Sequence, residues 1–159
     1  MAEDLNQFSE WFGRILAGLE PAQMRRGSLK LGQALRLANV KRIAENVEPD
    51  GRPMEPRKPR KDRRGRLRRR QTGKMFKGLR RLRNWKIDAD EGGVEIRPAS
   101  GNVDRVASVS QFGETTTIGY RPNHSPIRAR YPIRRLLGFA PSDERIVMEV
   151  AESLIEPGK

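Results

Sequence analysis

The chain has 159 residues, of which 35% are hydrophobic, and carries a formal net charge of +13. This length fits one domain with a core of its own. Because the chain has no Cys and one His, its composition excludes a disulfide framework, a thiol nucleophile and a Cys- or His-rich metal site, and we expect no cofactor. The acidic start and the lack of an apolar run of about 20 residues predict neither a signal peptide nor a membrane helix, hence a soluble intracellular protein.

The first predicted element is an amphipathic helix from Glu3 to Leu19. Its apolar residues recur at spacings of three and four, which places them on one helical face. They are Leu5, Phe8, Trp11, Phe12, Ile15, Leu16 and Leu19. Pro21 predicts the start of a second helix that runs to about Asn46, so residues 1–47 are expected to form a helical pair.

A strongly basic segment, residues 52–83, follows a Glu-Pro-Asp-Gly turn at 48–51. It holds sixteen Lys and Arg residues against two acids, whereas the rest of the chain holds 17 basic and 18 acidic residues. Three prolines between 53 and 59 predict an extended, irregular first part. Apolar residues at helical spacing between 75 and 82 predict a short basic helix at its end. The charge excess of the chain is therefore local.

Strands and short helices are predicted over 84–140. Apolar and charged residues alternate on both sides of a turn at 91–93, which predicts a β-hairpin. A period of three over 103–112 predicts a short helix with Asn102 as N-cap and Gly113 as the C′ residue. The stretches 115–120 and 127–133 indicate a second hairpin, and Pro141 precedes a final helix over 141–156.

Together these elements predict an α+β fold. The N-terminal helical pair and the C-terminal helix are expected to pack on a small antiparallel sheet, with a long basic insertion. We expect residues 1–159 to form a single domain, organised as 1–47, 52–83, 84–140 and 141–156.

Five segments follow one another in an order that points to a family. They are the N-terminal helix with Trp11; the turn at 50–51 leading into Pro-x-x-Pro-Arg-Lys-Pro at 53–59; Lys74-Met-Phe-Lys77; Val109-Ser-Gln-Phe-Gly113; and Ala129-Arg-Tyr-Pro-Ile-Arg-Arg-Leu-Leu-Gly-Phe139 with an acidic helix start at 142–144. In order and spacing the chain resembles the phage virion morphogenesis family, also called tail completion proteins. The family often has His where this chain has Ser110, so no imidazole role is carried over.

The resemblance implies a structural protein, not an enzyme, that acts where a phage tail meets the head. Its implied partners are the tail tube protein and neck proteins, and by analogy with neck and terminator proteins it forms a homo-oligomeric ring of about six subunits. Its implied location is the virion tail or neck, with the host cytoplasm during assembly. No membrane partner is expected.

No residue pattern in the chain predicts a catalytic, cofactor or metal site. The serines lack an elbow sequence, and there is no Gly-rich phosphate loop. His124 lies in a turn between two prolines and is interpreted as solvent-exposed. Asp88, Asp90 and Glu91 lie at a hairpin turn, where turn preference and solubility explain acidic residues better than cation binding does.

The basic segment is the candidate contact with a partner protein or with phage DNA, since clustered Lys and Arg release counterions from phosphates. The interpretation as a solvated charge run that orders only in the assembly stays open. Few aromatic residues interleave with the charges, which disfavours base stacking. The candidate residues are Arg57, Lys58, Arg60, Lys61, Arg63, Arg64, Arg66, Arg68, Arg69, Arg70, Lys74 and Lys77.

Three further arginines, Arg130, Arg134 and Arg135, are candidates for contacts between subunits. Their apolar neighbours are expected in the core, which leaves the guanidinium groups free. Charge reversal at Arg134 or Arg135 is therefore expected to stop assembly while the monomer stays folded.

The alternative hypothesis is a basic module that binds RNA or DNA without sequence preference. In that case residues 52–83 are the whole functional surface. Such a module binds as a monomer or dimer with a steep dependence on salt, whereas a tail protein self-associates or binds tail tubes in preference to duplex DNA.

Overall fold

The computed structural model describes residues 13, 18–58, 64 and 75–155. The elements in these residues are α1 (Pro21–Glu45), a 3-10 helix (Leu82–Asn84), β1 (Trp85–Ala89), β2 (Val94–Pro98), α2 (Gly101–Phe112), β3 (Thr115–Tyr120), β4 (Pro126–Arg130) and α3 (Asp143–Ile155). The predicted α+β class is confirmed. The strands form two two-stranded antiparallel sheets in the described residues, β1 with β2 and β3 with β4.

Helix α1 has the ends that its sequence predicts. Its first residue is a proline, and the amide of Glu20 donates to Oε1 of Gln23 at 2.9 Å, which is one half of a capping box. At the other end Asn46 adopts a left-handed conformation with φ 59°, and the amide of Val47 donates back to the carbonyl of Arg42 at 3.0 Å. The other predicted helix of the pair lies outside the described residues except at 13, 18 and 19.

Both predicted hairpins are present. Asp90 closes the first one, because its Oδ1 accepts hydrogen bonds from the amides of Gly92 and Gly93 at 2.8 and 2.9 Å. In the second, the pairing shifts between Thr117 and Gly119, which leaves Ile118 as a β-bulge. Strand β4 ends at residue 130, before the predicted end at 133. The amide of Tyr131 bonds to the carbonyl of Glu114, and the amide of Arg134 bonds to that of Ser110 in helix α2.

Helix α2 confirms the predicted short helix but not its predicted N-cap. Ser100, with φ −153°, is the last extended residue before the helix, and its carbonyl accepts from the amide of Asp104 at 2.8 Å. Asn102 is already helical and therefore cannot cap the helix. Gly113 ends the helix with φ 68°, as predicted.

The short basic helix predicted at the end of residues 52–83 takes a different form over the described part. Residues 77–80 form turns, and helical structure is limited to the three-residue 3-10 helix at 82–84. Phe76 has φ 56°, which interrupts any α-helical run, and Gly78 disfavours its continuation. The apolar spacing nevertheless identifies core residues, because Met75 and Leu79 are buried.

The internal contacts divide the chain into two compact units. Unit 1 comprises Met1–Arg36, Ile87–Ile96 and Ser142–Lys159, and unit 2 comprises Leu37–Lys86 and Arg97–Pro141. The organisation of residues 1–159 as a single domain stays a prediction. Among the described residues no helix combines the length and apolar character that crossing a membrane requires.

Unit 1 is packed closely around two glycines of α1. A Cβ on Gly27 would lie 2.6 Å from Leu154 of α3, and a Cβ on Gly32 would overlap Val94 and Ile87 of the first hairpin. Side chains from α3 and from the hairpin therefore contact the α1 backbone closely. The contact observed for Leu154 is thus with a helix, whereas the sequence predicts docking of the final helix on the sheet.

Unit 2 contains most of the buried apolar side chains. They are Val40, Ile43, Met54, Met75, Leu79, Trp85, Ala107, Val109, Leu136 and Ala140. Trp85 is 1% exposed, and its Nε1 donates to the carbonyl of Leu79 at 2.8 Å. This bond satisfies the indole N–H inside the core, as a buried Trp requires.

Candidate assembly surface

The basic segment is anchored at both ends in unit 2. At the first end Val47 forms a β-bridge with Pro53, and the amide of the buried Met54 donates to the carbonyl of Asn46 at 2.8 Å. At the second end Met75 and Leu79 are buried. The core of unit 2 therefore fixes where the basic segment begins and where it ends.

The first arginine of the segment orders the turn that precedes it. Arg52 donates from its amide and its Nε to the carboxylate of Asp50, at 3.1 and 2.8 Å. The hydrogen bond from the Arg52 guanidinium lowers the pKa of Asp50 below its ordinary value, and Asp50 in turn raises the pKa of Arg52. Both groups are solvated, so this pair contributes mainly to the geometry of the turn.

Arg134 binds residues 55–56, which we call the root of the basic segment, from inside unit 2. Its side chain is 5% exposed; Nε donates to the carbonyl of Glu55 at 2.6 Å and Nη2 to that of Pro56 at 3.2 Å. Its own amide donates to the carbonyl of Ser110 at 2.7 Å. Burial lowers the pKa of the guanidinium, and the nearby Glu55 opposes that shift. One buried cation thus joins α2, the 131–141 loop and residues 55–56.

This geometry corrects one expectation. The sequence predicts that the Arg134 guanidinium is free for a contact between subunits, but its donors point inward. A reversal to Glu would therefore place a carboxylate against two carbonyl groups and damage the fold, not only the assembly. Arg130 and Arg135 are exposed, and their role between subunits stays a prediction.

Gln111, which sequence reasoning missed, fixes the 131–141 loop to helix α2. Its Oε1 accepts from the amides of Leu136 and Leu137 at 2.7 and 3.1 Å, and its Nε2 donates to the carbonyl of Leu137 at 3.1 Å. A side-chain amide can pair with an extended backbone in this way because it carries both a donor and an acceptor. The sequence feature that could have identified it is a Gln next to the apolar positions predicted for α2.

Helix α1 binds the backbone of the same loop at Gly138. The amide of Gly138 donates to Oδ1 of Asn39 at 3.1 Å, and its carbonyl accepts from Nη2 of Arg42 at 3.2 Å. A Cβ on Gly138 would lie 2.7 Å from Cγ of Pro49, so the loop passes too close to the preceding turn for a side chain. The 131–141 loop is therefore tied to α1, α2 and the root of the basic segment.

Four of the predicted contact residues of the basic segment lie in the described part of the chain. Arg57, Lys58, Arg64 and Lys77 are all exposed. The other eight lie outside the described residues. They are Arg60, Lys61, Arg63, Arg66, Arg68, Arg69, Arg70 and Lys74.

Asp90 and His124, which were considered as possible metal ligands, lie in turns. Asp90 uses its carboxylate in the hairpin turn. His124 is exposed with φ 60°, and its amide donates to the carbonyl of Arg121 at 2.9 Å. Within the described ranges no three His, Cys, Asp or Glu residues are grouped so that they could hold a metal ion.

Unit 2 also exposes many large apolar side chains. Phe112 at the end of α2 is 68% exposed, and Tyr120 at the end of β3 is 69% exposed. The other exposed side chains of this kind in unit 2 are Leu37, Leu82, Val106, Ile118, Ile127, Tyr131, Ile133 and Phe139. Where such side chains are contiguous, an exposed apolar surface is typical of an interaction site.

Sequence comparison with known proteins gives matches over nearly the whole chain. The model of the phage virion morphogenesis family matches residues 3–156. Tail completion protein S of Escherichia phage P2 is 29% identical over 159 residues, which cover 96% of this chain and 99% of that protein. No solved structure gives a significant match. Because the family match extends over nearly every residue, the chain belongs to the phage virion morphogenesis family.

Proposed function

We propose that this chain completes a phage tail by binding the head-proximal end of the tail tube and helping to join the tail to the head. The observation that carries the proposal is the near-complete alignment with a protein named for tail completion, which covers 99% of that relative. The role is structural and non-enzymatic. The protein is then a component of the virion tail or neck, and it is made and assembled in the host cytoplasm.

The proposed mechanism is geometric. Copies of the chain associate into a ring of about six subunits, one face of which meets the tube while the other meets the neck. The exposed apolar side chains of unit 2 and the exposed Arg130 and Arg135 support such contacts. The bonds of the 131–141 loop keep this surface in one conformation before assembly, which lowers the entropic cost of association.

The basic segment would give such a ring a strongly positive region. Sixteen basic residues recur in every subunit, so a ring concentrates the positive potential. An acidic surface of a neighbouring ring or the phosphates of the phage DNA end can bind there. The anchored ends at Met54 and Met75 support a defined position for this charge on each subunit.

The test is to remove the chain from cells that assemble the particle and to add it back. Tails made without it are expected to lack a regular head-proximal end and to stay unjoined, as seen by electron microscopy. Purified chain added to those tails should restore joining to heads. Normally joined particles formed without the chain would refute the proposal.

A second experiment separates this role from that of a nucleic-acid-binding module, the alternative suggested by the charge of residues 52–83. Eight of the sixteen basic residues are replaced by Gln, and both duplex DNA binding and tail joining are measured over a range of salt. A tail protein should retain its self-association and lose at most joining. Steep salt-dependent DNA binding by a wild-type chain that never binds tails would favour the alternative.

A further inference from the structure

Unit 2 exposes aromatic and aliphatic side chains at the end of α2 and arginines on the neighbouring hairpin. Gly113 lies so close to the 131–133 backbone that a Cβ there would be 2.6 Å from Cγ1 of Ile133 and 3.3 Å from the carbonyl oxygen of Tyr131. The amide of Tyr131 also donates to the carbonyl of Glu114 at 3.1 Å. Residues 131–133 therefore lie against the end of α2, and Phe112, Tyr131 and Ile133 in this region are 68%, 36% and 57% exposed.

The second hairpin carries the arginines. Thr115 pairs with Arg130, Thr117 with Arg128, and Tyr120 with Pro126. Alternate residues of a strand share a face, so Tyr120, Arg128 and Arg130 lie on the same face of the sheet, and all three are exposed. We call Tyr120, Arg128 and Arg130 the apolar-arginine surface; Tyr131, one position beyond Arg130, faces away from it.

The composition of this region favours a protein partner. Residues 97–141 contain seven Arg, no Lys and two acids. Protein interfaces are enriched in aromatic residues and Arg and depleted in Lys. Arginine also binds carboxylates in a two-pronged geometry, which favours an acidic partner. The surface therefore fits a partner that offers both carboxylates and apolar side chains.

Helix α3 of unit 1 offers this combination. Glu144, Met148, Glu152 and Ile155 follow one another at intervals of four, four and three, so they form one stripe along the helix. All four are exposed, Met148 by 45% and Ile155 by 38%, whereas Val150 on the opposite face is buried. We call these four residues the acidic stripe.

The two units also differ in total charge. The described residues of unit 1 include nine acidic and five basic side chains, and those of unit 2 include six acidic and eighteen basic side chains. A contact between unit 1 of one copy and unit 2 of another is therefore attractive, whereas contacts between two copies of unit 2 are repulsive.

We propose that the acidic stripe of one copy docks on the apolar-arginine surface of a second copy. Such a contact joins different surfaces of the two partners, and repeated contacts of this kind close into rings when the rotation permits. The inference deepens the proposed function, because it rests on the ring and names the surfaces that join its subunits.

The experiment is a charge exchange followed by sedimentation velocity and light scattering at low and high salt. One variant carries Arg128→Glu and Arg130→Glu, and the other Glu144→Lys and Glu152→Lys. Each is expected to weaken self-association more than about a hundredfold, because reversal places like charges together. An equimolar mixture should regain the mass of the wild-type assembly, since each reversed surface then meets its complement.

Matched controls reverse the same number of charges elsewhere. Lys41→Glu with Lys86→Glu in unit 2, and Glu91→Lys with Glu95→Lys in unit 1, affect exposed residues outside both surfaces and should leave self-association unchanged. Glu152→Lys alone provides a second test in which the first turn of α3 is intact. Thermal melting by circular dichroism establishes that each variant is folded.

Several outcomes would overturn the inference. They are a wild-type chain that is monomeric at the highest concentration, an unchanged mass when the acidic stripe is reversed, a mixture that stays dissociated, or controls that dissociate equally. Charge reversals that lower the melting temperature without changing the mass would show that the reversed residues stabilise the folded monomer and not a contact between copies. If reversed variants still complete tails in the add-back assay, this contact is refuted while the tail role stands.

Discussion

Replacing Arg134 by Met is expected to lower the free energy of unfolding by about 3 kcal/mol. The guanidinium is 5% exposed and donates two hydrogen bonds to backbone carbonyls, at 2.6 and 3.2 Å. A hydrogen bond with a charged partner contributes about 1.5–3 kcal/mol, and the longer of these two belongs at the low end. Glu55 and Pro56 are exposed, so water can partly replace the lost donor. Met retains most of the apolar stem packing.

The measurement is urea unfolding followed by circular dichroism, together with thermal melting. For a chain of this size a loss of about 3 kcal/mol corresponds to a fall in melting temperature of about 6–12 °C. Arg134→Lys can keep one of the two bonds and should lose about half as much. Arg135→Met is the matched control, because Arg135 is exposed and bonds to Glu48 through its backbone amide; it should stay within about 0.5 kcal/mol of wild type.

Arg134→Met should also have a local effect. Hydrogen exchange at residues 46–56 should accelerate more in Arg134→Met than exchange in the middle of α2, because the lost bonds end at residues 55 and 56. A variant as stable as Arg135→Met, with unchanged exchange near the root of the basic segment, would show that the two carbonyl bonds contribute little.

Three further predictions concern single sites. Gly113→Val should destabilise the chain by about 2–4 kcal/mol in thermal melts, because the residue has φ 68° and a Cβ would lie 2.6 Å from Ile133. The control is Gly101→Ala, where an added Cβ meets no atom within 4 Å; it should be neutral or stabilising by up to about 1 kcal/mol. Equal losses of stability in both variants would contradict this prediction. Trp85→Phe should cost about 1–3 kcal/mol in urea, since it leaves the Leu79 carbonyl without the indole donor; no loss would mean that this bond is replaced. The pKa of Asp50 is lowered from 3.8 in the folded chain, so its contribution to stability is complete above that value and disappears as the pH falls through the folded pKa. Asp50→Asn should therefore reduce the loss of stability between about pH 5 and pH 2. If the urea midpoint of the variant falls with pH as steeply as that of the wild type over this range, Asp50 does not contribute to the acid sensitivity.

Local patterns in the sequence predict the local elements well. The end of α1 near Asn46, the two hairpins, helix α2 with Gly113 at its end and the final helix are all present in the structure. Each depends on hydrogen bonds between residues a few positions apart, so periodicity, turn residues and caps carry the necessary information. The family is likewise readable from ordered motifs, and the match over residues 3–156 confirms it.

The short basic helix and the N-cap of α2 show where local patterns are insufficient. Met75 and Leu79 have helical spacing because both enter the core, but the chain reaches them through turns and a left-handed Phe76. Spacing identifies which residues are buried, and different backbones can bury the same residues. Ser100 and Asn102 are both acceptable caps by residue type, and the position of the preceding strand decides between them.

By itself the sequence determined the fold class, the location of the charge excess and the family of this protein. Tertiary structure alone decided which polar side chains are structural. Arg134 bonds to residues 78 and 79 positions away, Gln111 to residues 25 and 26 positions away, and Asn39 to a residue 99 positions away. An arginine bound to distant carbonyls and an arginine exposed to a partner have the same local sequence environment, because only the folded chain brings their acceptors within reach.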